Sequence, residues 1–395
     1  MNDNDVVITS AVRTAVGSFG GSLSSLTAPQ LGAEVIKKIL EKSEIKPEQV
    51  DTVFMGQILA AGVGQNPARQ AAIHAGIPVE KTATTINQLC GSGLASVAFG
   101  FNSIKCGDAN IVIAGGQESM SNAPHYINLR NGVKLGDTKL QDSMIIDGLW
   151  DAYNHYHMGV TAENVAQKFQ ITRKDQDAFA AASQRKAIDA IKGKKFKDEI
   201  VPLTIQIKKQ DVVFDKDEYP KDGTTIEKLE MLKPAFKKDG SVTAGNASGL
   251  NDGAAAMLLS SEEGCKKYSL KPKARIVSSA VAGVEPRIMG IGPVEASKKA
   301  LSRAGLSLDQ MDVLELNEAF AAQVLSCTRT LGLKDNDARI NPNGGALAIG
   351  HPLGMSGTRL IQAATNELIR SNKKYALCTM CIGVGQGYAV IIERI

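Results

Sequence analysis

Ala33–Gly56, AEVIKKILEKSEIKPEQVDTVFMG, aligns without a gap on Val294–Asn317, VEASKKALSRAGLSLDQMDVLELN. Glu34/Glu295, Lys37/Lys298, Lys38/Lys299, Leu40/Leu301, Gln49/Gln310 and Asp51/Asp312 are identical pairs, the mark of an internal repeat. The correspondence extends outward. VVITSAV (Val6–Val12) resembles RIVSSAV (Arg275–Val281), and Ser92-Gly93 corresponds to Ser356-Gly357. In both copies the Ser-Gly pair opens a helix-length stretch, followed by a strand-like run, NIVIAGG (Asn110–Gly116) or YALCTMC (Tyr375–Cys381). Each half therefore reads strand, helix, strand, helix, strand. This predicts an α/β fold of two βαβαβ halves packed together, each with a mostly parallel sheet under covering helices.

The first copy runs out by about Ser121 and the second begins near Lys271. Between them, AGNASGLNDGAAAMLLSS (Ala244–Ser261) is expected to form a helix and a strand that complete the first half. The remaining segment is richer in Lys, Asp, Glu and Gln, and is expected to be an inserted loop domain covering a site on the core. The predicted organisation is 1–121 plus 244–270 for the first half, 122–243 for the insertion and 271–395 for the second half.

A chain of 395 residues exceeds one ordinary core. With 43% apolar and 22% charged residues and a net charge of +4, it is neither a disordered chain nor a polyelectrolyte suited to nucleic acid. No apolar run approaches the ~18 residues of a membrane span. The acidic start MNDNDVVITSAVRT lacks the features of a secretory or transit signal, and the chain end is not a peroxisomal address, so a cytoplasmic location is expected. Six scattered cysteines argue for a reducing compartment and against a disulfide framework. Cys378 and Cys381 form a lone CxxC without the further ligands of a structural zinc, and no metal is expected.

Three Gly-rich segments carry the chemistry: NQLCGSG (Asn87–Gly93), NPNGGALAIGHPLGMSG (Asn341–Gly357) and CIGVGQG (Cys381–Gly387). Cys90 stands just before a helix start, where the macrodipole favours thiolate; a small buried core thiol is the plain alternative. His351, between Gly350 and Pro352, has little packing to do in a loop and suits a general base. His74, His125 and His155 have no such context and read as structural or surface residues. Cys381 ends an apolar strand and begins a glycine turn. Two thiols, one imidazole and nearby glycine N–H donors fit a Claisen-type carbon–carbon bond exchange on thioesters. A hydrolase needs only one thiol, and a redox CxxC ordinarily precedes a helix.

These segments, with HMGVTAEN (His157–Asn164), TAGNASGLNDGAA (Thr243–Ala255) and NEAFAAQ (Asn317–Gln323), resemble the thiolase family over essentially the whole chain, and within it the acetyl-CoA acetyltransferase subgroup. The resemblance implies a reversible, ping-pong condensation of two acetyl-CoA to acetoacetyl-CoA and CoA through an acetyl group on Cys90. It implies that His351 takes the proton of Cys90, that Cys381 moves a proton on the substrate methyl group, and that Asn317 holds a water which, with His351, stabilises one oxyanion. The N–H groups of Cys90 and Gly383 would form a second oxyanion hole. Coenzyme A would meet His157, Met158, Phe236, Ala244, Ser248 and Gly249, with Ala319 and Phe320 of NEAFAAQ nearby. Lys221 would meet the nucleotide where relatives often carry Arg, and its alternative is a solvated loop lysine. Met289 would restrict acyl length, or simply fill core.

The family pattern also implies a homotetramer and no cofactor beyond the coenzyme A thioester substrates. One departure stands out: Val384 occupies a position where relatives usually have a third glycine. If that position requires φ > 0, a β-branched residue there costs about 1–3 kcal/mol. Alternatives sharing the same residues are a degradative 3-ketoacyl-CoA thiolase of broad chain length and a non-catalytic acyl-CoA-binding protein of the same fold.

Overall fold

The computed structural model describes residues 5–395, so the very start of the 1–121 segment lies outside the described residues. The repeat pairs have the same work in both halves. Helix α1 (Ala28–Ser43) turns Leu31, Val35, Ile36 and Ile39 inward and ends where Glu44 enters the left-handed region. Its counterpart in the second half, Gly292–Ala304, ends at left-handed Gly305, the residue aligned with Glu44. Lys37 and Glu34 pair at 2.7 Å, and Lys298 and Glu295 at 2.9 Å. Gln49 Oε1 accepts the Lys46 N–H as Gln310 Oε1 accepts that of Ser307. Asp51 Oδ2 accepts the N–H groups of Asn110 and Ile111, and Asp312 Oδ2 those of Lys374 and Tyr375. Each aspartate thus pins the start of a distant strand, which is why both copies keep it.

The first half contributes strands β1 (Val6–Thr14), β2 (Thr52–Gly56), β3 (Thr82–Ile86), β4 (Ile111–Ser119) and β5 (Asn251–Ser261). The second contributes β6 (Ala274–Gly283), β7 (Val313–Leu316), β8 (Tyr375–Ile382) and β9 (Gln386–Arg394). They lie in one sheet in the order β7-β8-β9-β6-β1-β5-β4-β2-β3, with two short strands off this path. Outward from the β1–β6 pair the two halves run alike, β5, β4 and β2 on one side matching β9, β8 and β7 on the other, and β3 is an edge strand of the first half with no counterpart.

The expectation of a mostly parallel sheet is corrected. β2 is parallel to β3 and β4, and β7 to β8, but β5, β1, β6 and β9 pair antiparallel with their neighbours along this path, and only the short strand Ile200–Val201 joins β1 in parallel. The repeat was read only as far as strands joined by helices; β8 and β9 are joined instead by the Gly383–Gly385 turn, which returns the chain beside itself. Likewise, Ala244–Leu250 is a loop, not a helix, running directly into β5; a helix follows at Glu262–Tyr268. Asn246 spends its side chain on that loop, its Oδ1 accepting from Thr243 N and its Nδ2 donating to Asp177 and Ser241 O.

Helices α2 (Pro67–His74) and α3 (Ser92–Lys105) complete the first half. α3 and its counterpart in the second half, Leu353–Arg370, form the central layer, whose start precedes Ser356-Gly357 by three residues. Leu94 and Val97 of the one and Leu360 and Ile361 of the other share a core with Val112 and Ala114 of β4 and Cys378 and Met380 of β8. Ile111 and Ile113 face the other way, towards α1. Leu377 similarly faces Gly292–Ala304. Alternation of this kind explains strands that are apolar on both faces. The result is five layers: helices, half-sheet, central helices, half-sheet, helices.

The insertion supplies α4 (Met158–Lys168) and α5 (Arg173–Lys192). The second half has α6 (Gly292–Ala304), α7 (Ala321–Thr330) and α8 (Leu353–Arg370); α4 and α5 both pack on α7, α4 also on Pro286–Ile291 and α5 on Ala346–Ile349. The hairpin of the insertion, Leu203–Ile207 with Gln210–Phe214, joins the outer core of the first half. Buried Arg13 on β1 anchors it through Glu199 at 2.8 Å and Asp217 at 2.6 Å. No helix is long and apolar enough to cross a membrane among the described residues.

The seam between the halves has no room for a side chain at Gly116, where an added Cβ would stand 1.8 Å from the carbonyl oxygen of Gly354. Gly116→Ala should therefore push α8 off β4 and lower stability by about 3 kcal/mol, an overpacking penalty. A calorimetric midpoint equal to that of the parent protein would contradict this view of the seam.

Candidate active site

A cavity of about 320 Å³ opens at this seam, lined by Cys90, His351 and Gly383 together with side chains of the insertion. Cys90 sits on a tight elbow between β3 and α3. Ser92 Oγ donates to Leu89 O at 2.6 Å and accepts the Gln88 N–H at 2.8 Å, and Leu89 is held at φ 47°. A leucine in the left-handed region is strained, and the elbow directs the thiol into the cavity. The expected preference for thiolate is corrected. Burial raises the thiol pKa to about 11, against the pull of the Gly383 and Cys90 N–H groups and with the nearby Glu118 adding to it. Cys90 is therefore a neutral thiol at rest.

His351 precedes α8 and is buried. Its Nδ1 lies 2.5 Å from Ser356 Oγ, and Ser356 Oγ donates to Pro352 O at 2.9 Å. With the hydroxyl proton committed, Nδ1 must carry the ring proton and donate it to Ser356, which leaves Nε2 as a lone pair. Nε2 lies 3.2 Å from Asn317 Nδ2. Burial, assisted by the Arg359 cation, lowers the imidazole pKa to about 3, so the ring is neutral and base-competent. Asn317 Oδ1 is buried without a protein partner among the described residues.

Cys381 is fully buried near the end of β8, packed among Met158, Met289, Ala319 and Phe320, which themselves line the cavity. Its pKa is raised well above the ordinary thiol value by burial and then by the neighbouring Cys90 and Cys327. After it, Gly383 turns its N–H to the Cys90 sulfur, and Val384 adopts φ 58°. The position that raised the question in the sequence does require the left-handed region.

Of the residues expected around coenzyme A, His157, Met158, Phe236, Ala244, Ser248, Gly249, Ala319 and Phe320 line the cavity, as does Met289. His157 stacks on Phe236 at 4.8 Å, and its Nδ1 accepts the Gly159 N–H, which places its own proton on Nε2. Lys221 is exposed outside the cavity, its ammonium 5.7 Å from the ring centroid of Tyr219. Sequence reasoning missed Tyr219, whose ring packs where a Cβ on Gly249 would stand, as well as Leu149 and Leu250 of the lining. It also missed Ser356 as the partner of His351, although a hydroxyl five residues on, in the next helical turn, was a usable signal.

Two family models match the chain: thiolase, N-terminal domain, over residues 6–263, and thiolase, C-terminal domain, over residues 270–394. The chain is 57% identical over 392 residues to an acetyl-CoA acetyltransferase of Pseudomonas aeruginosa and 55% identical over 392 residues to one of Cupriavidus necator, with 99% of each chain covered in both cases. The crystal structure of the Bacillus anthracis acetyl-CoA acetyltransferase is similar with a TM-score of 0.97 at 42% identity, covering 99% of both chains.

Two outcomes follow from this geometry. Val384→Gly relieves left-handed strain of about 1–3 kcal/mol and returns about 0.5–1 kcal/mol through the freer unfolded chain, a net stabilisation of about 1 kcal/mol visible as a higher thermal midpoint. Alkylation of Cys90 by iodoacetamide, followed peptide by peptide in a mass spectrometer, should be slow at neutral pH and climb towards a plateau only near the thiol pKa of about 11. A plateau already at neutral pH would mean a resting thiolate.

Proposed function

The chain belongs to the thiolase family, and from that membership together with the cavity geometry we propose that it is an acetyl-CoA C-acetyltransferase, joining two acetyl-CoA into acetoacetyl-CoA and CoA, reversibly. The observation that carries the reading is the convergence of Cys90, His351 and Gly383 on one cavity, with Cys381 in its wall and Asn317 on His351.

In this reading His351 Nε2, the unprotonated ring nitrogen, takes the proton of Cys90 as the sulfur attacks the thioester carbonyl of the first acetyl-CoA. The N–H groups of Cys90 and Gly383, already aimed at the sulfur, receive the oxyanion. Expulsion of CoA as a thiol takes the proton of Cys381, leaving an acetyl group on Cys90, a thiolate at Cys381 and an imidazolium at His351. The Cys381 thiolate then removes a proton from the methyl group of the second acetyl-CoA. The enolate oxygen is met by the His351 imidazolium and by a water on Asn317, whose Oδ1 has the lone pairs to hold it. Attack of the carbanion on acetyl-Cys90 releases acetoacetyl-CoA, and the imidazolium returns its proton to the Cys90 sulfur. Every proton is conserved, and no metal or further cofactor is required.

Burial decides why two thiols serve better than two carboxylates. A thiol is the weaker loss when desolvated, so both can rest neutral in the dry site and become charged only when the imidazolium or an oxyanion compensates. The wall formed by Met289, Met158 and Phe320 favours short acyl groups over long ones. Coenzyme A would run past His157, Phe236, Ala244, Ser248 and Gly249, with Lys221 at the outer end beyond Tyr219. Residues 122–243 would form the coenzyme A-binding and assembly segment between the two halves, the protein would be a cytoplasmic homotetramer, and the acyl carrier would be the only cofactor-like molecule.

The test is consumption of acetoacetyl-CoA on addition of CoA, beside 3-ketohexanoyl-CoA, in the parent protein and in Cys90→Ser. Cleavage should be strongest on the four-carbon substrate, and Cys90→Ser should lose about 10³-fold or more, as nucleophile replacement does. His351→Ala should lose on the order of 10²–10⁴-fold in kcat, the range of a general base. Equal or better turnover of the six-carbon substrate would favour a broad-chain degradative thiolase, and an inactive but folded parent protein would sink the assignment.

A further inference from the structure

Glu118 stands near the end of β4, at the seam, with its carboxylate fully buried and in no ion pair among the described residues. Its two oxygens accept three backbone N–H groups: Ile58 at 3.2 Å, Leu59 at 3.1 Å and Gly354 at 2.9 Å. The first two lie in the loop after β2, in the half that carries Cys90. The third lies in the first turn of α8, in the half that carries His351, three residues beyond that histidine. The His351 backbone N–H is itself held by Asn251 Oδ1 of β5 at 2.9 Å. The loop bearing the base therefore hangs from the opposite half at two points, and one of them is a buried charge.

An apolar residue would satisfy none of these amides, and an amide side chain would offer one oxygen and turn an NH₂ group at the remaining donors. Only an ionised carboxylate accepts from all three while donating nothing. A desolvated carboxylate is costly to keep, which asks for a reason beyond filling space.

Resting on the acyl-transfer reading given above, we propose that Glu118 is a positioning residue: its carboxylate, through the Gly354 N–H, fixes the His351 loop against Cys90 across the seam between the halves. Glu118 also acts on the nucleophile from a distance. His351, His157 and Tyr219 line the cavity with Cys90, Cys381 stands in its wall on β8 and Glu118 behind it on β4, and the negative charge of Glu118 makes the thiol harder to ionise. Glu118 thus makes Cys90 less acidic while setting where its base stands.

These two effects separate in one experiment on the full-length protein, using Glu118→Gln and Glu118→Asp. Glu118→Gln removes the charge and disturbs the amide cluster, so kcat for acetoacetyl-CoA thiolysis should fall on the order of 10–100-fold, the cost of a small misplacement, with KM for CoA unchanged. In the same variant, the pH at which iodoacetamide labels Cys90 should move down, because the repelling charge is gone. Glu118→Asp keeps the charge but withdraws it by one methylene; kcat should fall while the labelling profile stays in place. The aspartate variant also decides the matter if the glutamine variant does not fold. Parent-like kcat in either folded variant overturns the proposal, as does a loss of activity in Glu118→Gln with the labelling profile unmoved, which would mark Glu118 as structural support alone. A parent protein with no thiolysis activity would instead overturn the functional reading on which the proposal rests.

Discussion

Everything at the site depends on how closely the first turns of α3 and α8 approach each other. Glycines make the contact possible: besides Gly116 against Gly354, an added Cβ at Gly357 would stand 2.4 Å from the Leu94 nitrogen. Thr358 Oγ1 donates to Gly93 O at 3.1 Å across the same contact. Because Cys90 lies two residues before α3 and His351 two residues before α8, bringing the helix starts together brings the nucleophile and base together. The repeat supplies two equivalent helix starts, and the two halves then use them unequally, one for a thiol and one for an imidazole. Two helix N-termini also converge on the cavity, which suits developing oxyanions and disfavours a standing imidazolium.

The electrostatics of the resting site follow from burial more than from any pair of charges. Burial raises Cys90 and Cys381 and lowers His351, so all three reacting groups rest neutral. Glu118 is also pushed up, to about 7, by burial, with its three amides working in the opposite direction, so its negative charge is complete only above neutral pH. The sign for stability is specific. A histidine whose folded pKa is depressed from 6.5 to about 3 leaves the unfolded chain holding more protons, so its contribution to stability is present above the unfolded value and is lost as pH falls through that window. Acid therefore works against this fold at the base itself, before it can titrate the base in place.

The repeat was legible because its identical residues take equivalent partners inside each half. Asp51 and Asp312, and Gln49 and Gln310, survive in both copies because each satisfies backbone N–H groups at a fixed place in the unit. Cys90, His351 and Cys381 were legible because glycines surround them. Strand direction was not, since a parallel and an antiparallel neighbour present the same apolar run when both faces are covered. Tyr219, Ser356 and Glu118 escaped for a related reason: their roles are set by partners far along the chain or by a hydroxyl that any helix surface could carry. Glu118 shows this best. A charge at the end of an apolar strand reads as the place where the chain meets solvent, and only the third dimension reveals Gly354 waiting there.

Val384 and Leu89 connect local strain to chemistry. The two N–H groups directed at the Cys90 sulfur belong to Cys90 and Gly383, and each adjoins a residue held in the left-handed region, Leu89 before Cys90 and Val384 after Gly383. The turns touch, for Leu89 Cδ1 lies 3.0 Å from where a Cβ on Gly383 would stand. Amides from separate segments can aim at one point only if each chain reverses sharply just beside it, and a left-handed residue is the shortest way to do so. The donors are then fixed before substrate arrives, and little of their orientation has to be found during the reaction. Valine at 384 leaves that direction intact, because the β8–β9 return holds the residue at φ 58° all the same. What changes is the strain that the surrounding sheet must hold, on the order of 1–3 kcal/mol, and an eight-residue strand register between β8 and β9 is well able to hold it.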